Sequence, residues 1–78
     1  MDIKSIKELA TQYSVEELQK LANELENEGK TSVKTKDDMG ELMSDFLQAL
    51  EVRMLLDQGK TIKEAIREFT KRVRQALK

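Results

Sequence analysis

At 78 residues and 38% apolar content, the chain reads as one domain near the lower size limit for a self-sufficient core. It holds no cysteine and no histidine, which excludes disulfides and thiol chemistry and removes the usual transition-metal ligands. A net charge of −1 hides a split: residues 1–59 carry −6 and residues 60–78 carry +5, an acidic body followed by a basic last helix.

The first ten residues, MDIKSIKELA, mix charged and apolar positions and lack the continuous apolar run of a signal peptide. Ile3, Ile6, Leu9, Ala10 and Tyr13 keep helical spacing, so a short first helix is expected over about residues 3–12, with Asp2 as its N-cap. Ser14-Val15-Glu16-Glu17 is a capping box, and Tyr13 and Leu18 around it are placed as a hydrophobic staple. This opens a second helix over residues 15–28, with Val15, Leu18, Leu21, Ala22 and Leu25 inward and Gly29 ending it. The outer face is acidic.

Residues 30–37, KTSVKTKD, form the one long connection; Thr31, Ser32 and Thr35 oppose a helix there. The lysines Lys30, Lys34 and Lys36 read as solubilising surface charge. Thr35 with Asp38, or Asp37, is placed to cap the next helix.

That third helix, about residues 37–58, is the element around which the chain is organised. At about 100° per residue, Met39, Met43, Phe46, Leu50 and Met54 fall on one stripe, and Leu42, Ala49, Val52 and Leu56 on a second beside it. Leu47 lies just past the first stripe and Leu55 near the back. The apolar arc spans roughly 220°, against about 100° for a one-sided surface helix, so it must be covered from several directions. Asp45 sits near the edge of the arc, among the polar positions. Arg53 points into it, with its stem expected on apolar surface and its guanidinium in reach of Asp57 at i+4.

Gly59 is placed to end this helix in a left-handed conformation, and Thr61-Ile62-Lys63-Glu64 is a second capping box. It opens a fourth helix over residues 62–77 with a narrow inward stripe: Ile62, Ala65, Ile66, Phe69, Val73, Ala76 and Leu77. Lys63, Arg67, Lys71, Arg74 and Lys78 make a basic ridge opposite. Five like charges on one face suit an acidic protein surface, or phosphates. The three aromatics all belong to core or staple positions, leaving none to stack on bases, so nucleic acid is the weaker match.

The fold class expected is therefore all-α, a small four-helix bundle in a single domain. The surplus apolar arc points to a homodimer, with Val52, Leu55, Leu56 and Leu47 as candidate self-association residues; Leu55→Glu or Val52→Glu is expected to break it. The functional expectation is a non-enzymatic interaction or assembly module in the cytoplasm. The alternative is weak nucleic-acid binding through the fourth helix. No residue set has the spacing of a catalytic, cofactor or metal site, and no run of about 18 apolar residues exists to cross a membrane.

Gly40-Glu41-Leu42, Ala49-Leu50-Glu51-Val52, Gly59, Lys63-Glu64-Ala65, Phe69 and Lys71-Arg72-Val73 together resemble a family of small helical bacterial proteins, a domain of unknown function. The likeness spans residues 39–73. It implies a helical fold and no particular activity, cofactor or partner.

Overall fold

The computed structural model describes residues 3–76, which hold four helices and no strand: α1 Ile3–Gln12, α2 Val15–Glu28, α3 Met39–Asp57 and α4 Ile62–Ala76. Asp2, proposed as the cap of α1, lies outside the described residues, as do Leu77 and Lys78.

Each boundary has a local cause. At α2, the Ser14 hydroxyl accepts from the Glu17 amide at 3.2 Å, and the Ser14 amide donates to Glu17 Oε1 at 3.0 Å. Thr61 and Glu64 repeat the arrangement at α4, at 3.2 and 2.9 Å. Gly29 closes α2 at φ 71°. At the end of α3, Gly59 takes φ 98°; its amide donates to the Leu56 carbonyl and the Lys60 amide to that of Leu55, a Schellman ending. α3 begins two residues later than the spacing indicated and stops one earlier. Its cap is Asp38, whose Oδ1 accepts from the Glu41 amide at 3.0 Å. Neither Asp37 nor Thr35 caps it: Asp37 is fully solvated beside Lys34, and Thr35 bonds elsewhere.

The two capping glutamates make stability pH-dependent. Hydrogen bonds from the Ser14 and Thr61 backbone amides, then from their hydroxyls, hold the Glu17 and Glu64 carboxyls below their usual value of 4.5. A depressed folded-state value adds stability above about pH 4.5 that is lost as the pH falls through the folded-state values. Acid unfolding of the Glu17→Gln/Glu64→Gln chain is expected to be shallower in pH than that of the wild type between pH 5 and about 3. Equal slopes, measured by urea titration at each pH, would remove these caps from the acid response.

α3 packs against all three other helices, while α1 touches α4 lightly. The core is Ile6, Leu9 and Ala10 from α1, Leu18, Ala22 and Leu25 from α2, Leu42, Phe46, Ala49, Val52 and Leu55 from α3, and Ala65 and Phe69 from α4. Buried alanines at positions 10, 22, 49 and 65 let neighbouring helices approach closely. The molecule measures 33 × 28 × 18 Å, and its short dimension matches two helix layers rather than three. Two layers leave one side of the central helix open.

Candidate functional site

Three features bear on function: a buried polar cluster, an open apolar stripe and a basic ridge. The cluster centres on Asp45, the one charged residue buried in the core among the described residues. Its Oδ2 accepts from Thr35 Oγ1 at 2.8 Å and from Lys36 Nζ at 3.0 Å, and Lys36 Nζ also lies 3.4 Å from Ser5 Oγ of α1. The connection between α2 and α3 is thereby tied to α1 and α3 at one point. A serine, a lysine and an aspartate in sequence of contact invite a catalytic reading. An ammonium ion-paired at 3.0 Å, however, has no lone pair with which to take the serine proton. The arrangement is that of a latch. By spacing Asp45 belongs with the polar positions, and by composition Lys36 with solubilising lysines; the structure buries the first and pairs it with the second. The missed signal is angular: Asp45 falls between Ala49 and Val52 on the wheel, inside the buried sector.

The stripe is on α3. Met39, Leu47 and Met54 are 55%, 52% and 50% exposed, and Met43 and Leu50 are half-buried beside them. Met43, Leu47, Leu50 and Met54 follow the 4-3-4 spacing by which one helix packs along another. Leu47, Leu50 and Met54, with Leu55 at the floor and Glu51 and Arg72 at the rim, line a groove of about 290 Å³. This corrects the assignment of the self-association residues. Val52 and Leu55 are 0% and 1% exposed inside the chain's own core, in one cluster with residues of α1, α2 and α4. They are not available to a second copy. Leu56 is half-buried, and Leu47 alone of the four is open. Met39 and Met54, on the stripe expected to be covered, are on the surface instead.

Arg53 donates from Nε to Asp57 Oδ1 at 3.1 Å, and from Nη1 to the Ala10 carbonyl at the end of α1 at 3.2 Å. The i+4 pair is as the spacing indicated; the tie to α1 is additional. Its task is to join α1 to α3.

Lys63, Arg67, Lys71 and Arg74 of the ridge are exposed, and none is in an ion pair among the described residues. The fifth member, Lys78, lies outside them. Arg72, beside the ridge, is engaged with Glu51 at 3.2 Å and Glu68 at 3.5 Å. Among the described residues no three acidic side chains gather as a metal-binding group, and no helix is long and apolar enough to cross a membrane. A groove of about 360 Å³ between α2 and the 30–37 connection has Tyr13, Leu21 and Val33 as its apolar wall. Its Glu17 and Glu24 are already engaged, with the Ser14 and Ser32 amides.

A family model described as "Family of unknown function (DUF6952)" matches residues 1–78, so the chain belongs to that family over its whole length. The match takes in α1 and α2, beyond the residue 39–73 likeness. No curated protein and no solved structure is significantly similar to the chain.

Proposed function

We propose that this DUF6952 chain is a non-enzymatic assembly module of the cytoplasm that self-associates, as a homodimer, through the open stripe of α3. One observation carries the reading: four apolar side chains at helix-packing spacing, Met43, Leu47, Leu50 and Met54, lie uncovered or half-covered on the central helix. A domain this small gains little from its own core, and a second copy covering that stripe adds buried apolar area at about 25 cal/mol per Å². Light scattering from low micromolar to near-millimolar concentration is expected to show the mass rising from 9.0 kDa toward twice that value. Leu47→Glu, which alters only an exposed position, is expected to stay at the monomer mass with an unchanged far-ultraviolet circular dichroism spectrum. A wild-type chain that remains monomeric throughout would end this reading.

The unpaired ridge on α4 supports a second reading, weak nucleic-acid binding. Four phosphate contacts would weaken duplex-DNA binding by roughly a hundredfold between 50 and 200 mM salt. This reading requires added duplex DNA, whereas self-association shows in the mass of the chain alone, so light scattering with and without DNA separates the two.

A further inference from the structure

We propose that the two copies pair in parallel, so that each protomer's acidic α2 lies against its partner's basic α4. This rests on self-association through α3 and adds its orientation.

The stripe alone is too small to hold two chains together. From Met39 to Met54 it runs about 23 Å, and at a helix width of about 10 Å it offers roughly 230 Å², against about 800 Å² per partner in a stable interface. The elements on either side must supply the rest. One flank is α2: its C-terminal Gly29 sits where an added Cβ would lie 3.9 Å from Met39 Sδ, and Leu25 and Leu42 share a groove there. The other flank is α4, whose Arg72 bonds Glu51 and rims the groove with Leu47, Leu50 and Met54.

These flanks carry opposite charge. Residues 15–28 hold five acids and one lysine, a net −4, and residues 62–76 hold five bases and two acids, a net +3. Low salt lets that charge act across the width of a helix, since the screening length is about 10 Å at 0.1 M and longer below it.

Symmetry then selects the orientation. A two-fold axis running along α3 exchanges left and right, so α2 meets the partner's α4 on both sides of the seam. A two-fold axis across α3 keeps left and right, so α2 would meet α2 and α4 would meet α4. The first pairs −4 with +3 twice; the second sets like charge against like. In the parallel arrangement each stripe residue also meets its own counterpart, Leu47 on Leu47 and Leu50 on Leu50, along the 4-3-4 seam.

Because the chain has no cysteine, a single introduced one reports a single contact. Residues 43 and 54 are about 16 Å apart along the helix, far beyond the roughly 7 Å Cα separation that a disulfide spans. Under mild oxidation Met43→Cys and Met54→Cys are each expected to cross-link with themselves, and an equilibrated mixture to give no mixed dimer. Cross-linking only in the mixture would establish the antiparallel form and overturn this inference while leaving self-association intact. A monomer in light scattering would remove both. Lys71→Glu with Arg74→Glu is expected to raise the dissociation constant at least tenfold at 50 mM salt; an unchanged constant would overturn the pairing of α2 with α4.

Discussion

Asp45→Ala is expected to destabilise the fold by about 2–3 kcal/mol, among the largest effects of any polar substitution in the chain. The carboxylate is buried and serves two donors on one oxygen, Thr35 Oγ1 at 2.8 Å and Lys36 Nζ at 3.0 Å. Removing one partner of a fully buried ion pair costs about 3–5 kcal/mol. The Lys36 side chain, however, is 25% exposed and can turn toward water, which lowers the figure. Asp45→Asn keeps an acceptor for Thr35 and is expected to cost less, about 1–2 kcal/mol. Lys36→Met belongs in the same series, and the double mutant should show coupling of about 1–2 kcal/mol. Urea unfolding measures all four variants, provided the slope with denaturant stays constant. A local reading accompanies the global one: trypsin should cut after Lys34 and Lys36 faster in Asp45→Ala, because the latch that holds the 30–37 connection is gone. A loss below about 0.5 kcal/mol would mean that the cluster is a solvated surface contact.

The four helices were legible because their ends are written in local chemistry. Ser14 with Glu17 and Thr61 with Glu64 start helices through hydrogen bonds that span three residues, and Gly29 and Gly59 stop them by tolerating positive φ. None of this depends on the rest of the fold. The start of α3 was less legible, since Thr35, Asp37 and Asp38 are all competent caps; the structure uses Asp38, and the Thr35 hydroxyl donates to Asp45, ten residues on. The orientation of α3 was not legible at all. An apolar arc of roughly 220° says that most directions need cover, but not which direction goes without. That is decided by the connections. The turn through Gly59 brings α4 back beside Leu55, where Arg72 shares its groove, and α2 brings Leu25 and Gly29 beside Leu42 and Met39, which leaves Met43, Leu47, Leu50 and Met54. Periodicity reports how much apolar surface a helix has; chain topology reports which part of it is spare.

Leu55→Glu is expected to unfold the chain rather than to separate two copies of it. Leu55 is 1% exposed, in the core with Phe46, Val52 and Phe69. The substitution forfeits about 1.5–3 kcal/mol of leucine burial and adds several kcal/mol for a carboxylate without a partner. A chain of 78 residues has about 4–12 kcal/mol in all, so little or none remains. Val52→Glu, at 0% exposed, should behave alike. Loss of the helical circular dichroism signal at neutral pH is the expected readout. Partial recovery near pH 4 should follow, since a glutamate forced into an apolar interior is tolerated only when protonated. Leu47→Glu, eight positions earlier and 52% exposed, is the control: it should keep the signal and shift the thermal midpoint by only a few degrees. The pair separates two meanings of an apolar residue on one helix. If Leu55→Glu folds and merely loses its partner, then Leu55 faces outward, α4 does not cover α3, and the seam belongs on the opposite side of the helix. If Leu47→Glu unfolds, the stripe is interior and there is no spare face for a second copy.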